Sequence, residues 1–333
     1  MILPWLVRTL LYPFSVLYGR IVSLRASLYE KGWLKAKRLN GAVISVGNLT
    51  LGGTGKTPMV LWLAEEFLAK GKKVAILSRG YRGSGGASDE IDLLKQRLGD
   101  RVSFGVGKDR FRAGHSLERE KPVDVFLLDD GFQHLQLARD LNILMLDGSV
   151  KLKDQWLLPA GVLREPIAAC RRANILIVTR KAERPEVEAQ DSHKFSIFYA
   201  QTRLQGFRLA GNREVPSYVS EIGPGPFFAF CGIGNPEAFW SDLAHWHVPL
   251  AGQKRFRDHH RYTSKDVRGL ETAAEQVGAK AFITTEKDEQ NLSLNHVFKL
   301  PVYIAVIDFV ISSESEFLAT MERLLAASRG VAA

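Results

Sequence analysis

Cysteine is nearly missing from this chain of 333 residues: only Cys170 and Cys231 occur, far apart in sequence. That excludes a disulfide framework and any four-cysteine zinc site, and a reducing, cytosolic side fits best. No internal repeat and no low-complexity tract is present, so the chain is not a repeat array. No uncharged run reaches the roughly 18 residues that a spanning helix requires, because Arg8 interrupts the first apolar stretch. There is no basic stretch ahead of that run and no small-residue cleavage site behind it, so a cleaved signal peptide is not expected. Acidic residues are almost absent from Met1 to Leu39, where Glu30 stands alone.

What the first 39 residues do contain is a mixture of Trp5, Leu6, Leu10, Leu11, Phe14, Leu17, Tyr18, Trp33 and Leu34 with Arg8, Arg20, Arg25, Lys31, Lys35, Lys37 and Arg38. An amphipathic arm lying on an anionic membrane surface is the expectation; the competing one is a helix that packs on the protein's own core. The formal net charge of +9 points to an anionic partner. Nucleic acid, anionic lipid and a phosphorylated metabolite all qualify on charge alone, but no recognised nucleic-acid-binding motif is present.

The length suggests two domains, or one large α/β domain with additions. Apolar runs at Ala42 to Val46, Val74 to Leu77, Val123 to Leu128, Ile143 to Leu146 and Ile175 to Val178 alternate with helix-like stretches. Near-continuous Val, Ile and Leu runs belong to parallel strands covered on both faces, so a doubly wound parallel sheet is predicted. The charged segment from Lys181 to Asp191, with Pro185, is a candidate junction, and Phe195 to Leu209 alternates like a more exposed strand. A second strand set follows at Phe227 to Cys231, Ala281 to Thr284 and Val302 to Val306, with helices at Pro236 to Trp246, Ser264 to Val277 and Glu314 to Ala327. The predicted organisation is an amphipathic helical arm over residues 1–39, a P-loop NTPase-like α/β core over 40–190 and a smaller α/β domain over 191–333.

Thr50, Leu51, Gly52, Gly53, Thr54, Gly55, Lys56 and Thr57 follow the first apolar run and lead into a helical pattern. Strand, glycine-rich turn and helix together form a phosphate cradle: backbone N–H groups converge on phosphate oxygens, Lys56 reaches the outer phosphates, and Thr57 meets Mg²⁺. Thr50 occupies the place of the first glycine in the usual pattern. At the end of another buried strand stand Asp129 and Asp130, where a P-loop protein keeps its Mg²⁺-holding acid. The stretch Ser78 to Glu90 holds four glycines and two arginines, reads as a mobile loop over the site, and would deliver Asp89 and Glu90 near the phosphates. Asp258, His259, His260 and Tyr262 cluster before a helix capped by Thr263 or Ser264; a His beside a carboxylate can act as a general base. Trp156 to Pro166 is a proline-bounded loop with an Arg164/Glu165 pair, which is either a structural ion pair or leaves Arg164 to grip a phosphate.

In this order TLGGTGKT, SRGYRG followed by SDE, DDGFQH, LPAGVLREP, FCGIGNPEAF, FRDHHRYT and TTEKD resemble the tetraacyldisaccharide 4'-kinase family, the lipid A 4'-kinases of Gram-negative bacteria. The resemblance covers nearly the whole chain. It implies ATP- and Mg²⁺-dependent phosphorylation of the 4'-hydroxyl of a tetraacylated glucosamine disaccharide 1-phosphate, giving lipid IVA, by a peripheral or monotopic protein on the cytoplasmic face of the inner membrane. It makes Asp89 and His259 a base and its orienting partner. It also places Asp129 and Asp130 around the metal, and Glu90, Arg110, Gln133, His134 and Arg164 in the cleft where sugar and phosphates meet. Here Ser88-Asp89-Glu90-Ile91 stands where the family tends to Gly-Asp-Glu-Pro. No nucleic acid and no obligate protein partner is expected. The nearest rivals are a P-loop kinase acting on another small-molecule or lipid hydroxyl, and a nucleotide-dependent switch.

Overall fold

The computed structural model of the chain describes residues 4–80, 89–180, 195–212, 217–218, 221–223, 225–292 and 298–330. The predicted junction from Lys181 to Asp191 lies outside them, as do residues 81–88 of the glycine-rich stretch. The chain forms two compact units: Met1–Tyr81 with Leu98–Gln201 and Phe309–Ala333, and Arg82–Arg97 with Thr202–Asp308. The division is thus not the single boundary near residue 191 expected from composition. Two long strands, β7 (Ser196–Leu209) and β11 (Val302–Ile311), each begin in one unit and end in the other, so the chain leaves the first unit and returns.

The first unit is a parallel sheet of β1 (Ala42–Asn48), β2 (Val74–Ser78), β3 (Ser103–Val106), β4 (Val125–Asp129), β5 (Leu141–Asp147), β6 (Ile175–Thr179) and the start of β7. Its order is β3-β2-β4-β1-β5-β6-β7. Every residue of β1, β2, β4, β5 and β6 is buried, which is why these strands read as unbroken apolar runs. β3 was not foreseen: it is a four-residue edge strand, Ser-Phe-Gly-Val, with a single buried residue. Helices α2 (Lys56–Ala69), α4 (Arg110–Glu120) and the carboxyl-terminal α8 (Glu314–Gly330) belong to this unit. The doubly wound parallel sheet is therefore present, and β1 sits between β4 and β5, with the phosphate loop at its carboxyl end.

The arm is one helix, α1 (Trp5–Glu30), with only Ser15 and Gly19 buried. One face docks on the first unit: Ser15 Oγ donates to Leu157 O at 2.9 Å and accepts from Ala160 N–H at 3.0 Å, and Tyr18 O–H donates to Arg164 O at 2.9 Å. Gly19 allows that approach, since a Cβ there would stand 2.7 Å from Leu157 Cδ1. Trp5, Leu6, Leu10, Phe14, Leu17, Ile21 and Leu24 remain exposed. No helix among the described residues is long and apolar enough to cross a membrane.

The second unit holds α3 (Asp89–Leu98, all but its last residue), the end of β7, β8 (Phe227–Cys231), α5 (Pro236–His245), β9 (Leu250–Arg255), α6 (Ser264–Gln276), β10 (Ala281–Thr285), α7 (Glu286–Glu289) and most of β11. Its strands run β11-β10-β8-β9 in parallel register. β9 escaped the sequence reading because Leu-Ala-Gly-Gln-Lys-Arg contains no buried residue. α5 starts on an Asn235 cap followed by Pro236, and α6 on a capping box in which Thr263 and Asp266 satisfy each other's backbone N–H groups. Two apolar clusters flank the sheet, one around Phe207, Phe227 and Trp240, the other around Phe230, Phe282 and Leu270.

Candidate active site

In the first unit β1 hands the chain to the glycine-rich loop. Gly52 has φ +114° and Gly55, the N-cap of α2, φ +85°, conformations that glycine adopts without strain. A Cβ on Gly52 or Gly53 would meet nothing within 4 Å, so this side of the loop is open. The loop's base is fixed: Leu51 N–H donates to Val162 O at 2.8 Å and Arg164 N–H to Leu49 O at 2.7 Å. Thr54 is buried; Lys56 and Thr57 are half-buried.

The acids after β4 converge on that loop. Asp129 is buried at the strand's end, and Asp130, at φ +49°, turns its carboxylate between two cations. Its Oδ2 accepts from Arg164 Nη1 at 2.7 Å, and Lys56 Nζ lies 3.6 Å from Oδ1. Burial pushes the Asp130 carboxyl up, but Lys56 and Arg164 outweigh it and hold its pKa below the ordinary value. Of the two alternatives for Arg164 and Glu165, the mutual ion pair does not form: Arg164 bonds Asp130, and Glu165 bonds Arg172. Gln133 Nε2 donates to Asn48 O at 2.9 Å, and Arg110 and His134 bond each other at 3.0 Å. Burial first, then the Arg110 charge, lowers the His134 pKa to about 4, so its ring is neutral near pH 7 and its Nδ1 accepts from Arg110.

Asp130 Oδ1 and Thr54 Oγ1 are buried without a hydrogen-bond partner. Among the described residues no cluster of three or more His, Cys, Asp or Glu is arranged to hold a metal ion. A Mg²⁺ ion bound with a nucleotide takes one or two protein oxygens, phosphate oxygens and water, so such a cluster is not required. Hard oxygen donors on Thr57, Asp129 and Asp130 beside an unsatisfied carboxylate oxygen fit that cation.

The second unit supplies the other constellation. Asp89 opens α3, His259 lies in the turn between β9 and α6, and the two are 170 positions apart. His259 Nδ1 stands 2.7 Å from Asp89 Oδ1 and 2.9 Å from Oδ2. Asp89 is buried while the imidazole is half exposed, so one end of the pair is sheltered and the other open. His259 is at φ +58°, a strained conformation held by its N–H donating to Gly232 O at 3.0 Å. Burial pushes Asp89 up, yet the His259 bond and then Lys287 hold its pKa below the usual carboxylate value; the same bond raises that of His259. His260 faces elsewhere, stacked on Phe256 with Nε2 3.2 Å from Asp266 Oδ2.

A profile of the family described as LpxK, tetraacyldisaccharide-1-P 4'-kinase, matches residues 7–326. The chain belongs to this family. A tetraacyldisaccharide 4'-kinase of Geobacter metallireducens is 38% identical over 96% of this chain and 99% of its own length, and one of Geobacter sulfurreducens is 37% identical over 93% and 92%. A crystal structure of LpxK from Aquifex aeolicus in complex with ATP superposes with a TM-score of 0.74 at 32% identity, covering 96% of this chain and 99% of that one. The chain is therefore a kinase of lipid A biosynthesis, as its motifs implied.

Sequence reasoning singled out each residue of the two constellations but missed what surrounds the second. Lys287 lies 3.7 Å from Asp89 Oδ2 and 3.8 Å from Glu90 Oε1, and Asn291 Nδ2 donates to Asp89 Oδ2 at 3.3 Å. The signal was Thr284-Thr285-Glu286-Lys287-Asp288, noticed as a pattern but given no role.

Proposed function

We propose that this chain transfers the γ-phosphoryl group of ATP to the 4'-hydroxyl of a tetraacylated glucosamine disaccharide 1-phosphate at the cytoplasmic face of the inner membrane. The observation that carries the reading is the Asp89–His259 contact at 2.7 Å, formed by two residues that have no reason to meet in a simple nucleotide switch.

Phosphoryl transfer needs little covalent help, so positioning and charge do the work. Backbone N–H groups of residues 52–57 would grip the triphosphate, and Lys56, already poised beside Asp130, would meet its outer oxygens. Mg²⁺, held by Thr57 and by Asp129 or Asp130, would neutralise charge on the β- and γ-phosphates. Arg164 has its Nη1 on Asp130 and a buried Nε with no partner, so it can contribute to an anion as well.

A sugar hydroxyl does not ionise unaided at neutral pH. Asp89, kept as a carboxylate, accepts its proton as the new P–O bond forms and the bond to ADP breaks, and His259, bonded to it through Nδ1, fixes the orientation of that carboxylate. This reading assigns Glu90, Arg110, Gln133 and His134 to recognition of the acceptor. The apolar exposed face of α1 would rest on the bilayer that carries the acylated substrate, with the exposed Arg20 available to anionic head groups.

The test is product analysis. Incubation with γ-labelled ATP, Mg²⁺ and the disaccharide 1-phosphate precursor, followed by thin-layer separation, should move the label into a lipid bisphosphate. Label released only as inorganic phosphate would indicate a switch, and label on a soluble sugar in preference to the lipid would indicate a different kinase.

A further inference from the structure

The single turn α7 is pinned by each of its acidic residues. Glu286 takes two bonds from Arg97, at 2.8 and 2.9 Å. Asp288 Oδ1 accepts from Gly232 N–H at 2.7 Å and Tyr262 O–H at 2.8 Å, while its Oδ2 accepts from Thr285 Oγ1 at 2.7 Å. Glu289 is bonded by Arg208 and by Gly211 N–H. The remaining residue, Lys287, is thereby aimed at three carboxylates: 3.3 Å from Asp258 Oδ1, 3.7 Å from Asp89 Oδ2 and 3.8 Å from Glu90 Oε1.

We infer that Lys287 is a positioning residue for the dyad: it restrains Asp258 from closing further on His259, so that the short bond of the imidazole is the one to Asp89, and it keeps Asp89 ionised. The inference rests on the base role given to Asp89 above. His259 has two ring nitrogens and two acids in reach, Nδ1 at 2.7 Å from Asp89 and Nε2 at 3.7 Å from Asp258 Oδ2. Asp258 is next to His259 in the chain and exposed, so it is free to swing; the hydrogen bond from Lys287 at 3.3 Å restrains it. Without the ammonium, Asp89, Glu90 and Asp258 would be left, among the described residues, with His259 as the basic group within 4 Å of Asp89 and Asp258. Repulsion would then drive a proton onto the most buried of the three, Asp89, and Asp258 would compete for the ring.

Titration directions agree. Burial works against the Lys287 charge, yet Glu90, Asp89 and Asp258 raise its pKa and keep it protonated. Lys287 in turn lowers the proton affinity of Asp89 and of His259. Among the described residues, the other groups facing this knot are Asn291, which is neutral, and Asp288 on the turn itself.

Lys287→Met and Lys287→Arg in the full chain, assayed with ATP and lipid precursor across pH, test the inference. Lys287→Met should lower kcat about 10- to 100-fold, the cost of a misplaced catalytic group, with KM for ATP unchanged. Losing the cation raises the proton affinity of both Asp89 and His259, so the whole pH–kcat profile should move to higher pH. Lys287→Arg should return the profile to its wild-type position. Adding Asp258→Asn to Lys287→Met should recover part of kcat; this double variant also carries one fewer unbalanced carboxylate and serves if the single one does not fold. A kcat loss with an unmoved profile, or no loss at all, would overturn the inference. Asp89→Asn in the same assay separates the two readings: full turnover there would sink the base assignment itself, whereas an inactive Asp89→Asn beside an unmoved Lys287→Met profile would sink only the role of Lys287.

Discussion

Gly47→Ala adds one methyl group inside β1, and its cost can be worked from the packing. The new Cβ would stand 2.6 Å from both Cβ and N of Phe132, against 3.4 Å or more in ordinary van der Waals contact, so the turn after Asp130 would have to retreat by about 0.8 Å. It cannot do so freely. Gly131 N–H is bonded to Val46 O at 3.0 Å and Gln133 Nε2 to Asn48 O at 2.9 Å, which staples the turn to the strand on both sides of the clash. Phe132 is fully buried, with the Arg172 guanidinium 4.6 Å over its ring. Overpacking of this kind costs about 1–3 kcal/mol, and stretching the two staples adds up to about 1 kcal/mol each, giving about 1–5 kcal/mol in all. Thermal melting of the first unit should fall by roughly 2–20 °C, at about 2–4 °C per kcal/mol for a unit of this size. Turnover should fall with it, because Asp130 lies two residues before Phe132 and sets the position of Lys56 and Arg164. Calorimetry and the phosphoryl-transfer assay read both effects. A variant that melts within about 1 °C of wild type at full turnover would refute the argument that this contact fixes the acidic turn.

Lys56→Met should raise KM for ATP and lower kcat/KM about 10²- to 10³-fold, the range for removing one preorganised charge-stabilising donor; steady-state kinetics over ATP concentration would show it. The stability that the Asp89–His259 pair lends the second unit should be confined to a pH window. His259 has a raised pKa, so its share is present below the ordinary imidazole value and is lost as pH rises through the raised one; Asp89 has a lowered pKa, so its share is present above the ordinary carboxylate value and is lost as pH falls through the lowered one. The melting difference between wild type and His259→Ala should therefore be largest from mildly acidic to neutral pH and shrink on either side. Replacing Trp5, Leu10 and Phe14 together by Ser should release the protein from anionic vesicles in a flotation assay while leaving the docked face of α1, with Ser15 and Tyr18, undisturbed.

The buried parallel strands could be read from sequence because both faces of each are covered, leaving unbroken apolar runs. β3 and β9 could not, since edge strands need no such run. The phosphate loop and the acids after β4 were legible because strand, glycine turn and helix follow one another locally. The pairing of Asp89 with His259 depends on a tertiary fold that brings α3 against the turn after β9, and it was reached through resemblance, not periodicity. Lys287 stayed hidden for the same reason: its meaning lies in three carboxylates drawn from two distant segments. Which of the two alternatives held for Arg164 and Glu165 was not legible, because their partners Asp130 and Arg172 are set by tertiary packing and not by adjacency in sequence.

The central claim is that Asp89 and His259 act as one unit on the acceptor hydroxyl, and a double-mutant cycle on the single-turnover rate tests it most directly. With Asp89→Asn costing about 10²- to 10⁴-fold, the double variant Asp89→Asn/His259→Ala should be no slower than Asp89→Asn alone, because the histidine has nothing left to orient. Two losses that multiply, or an Asp89→Asn enzyme as fast as wild type, would contradict it.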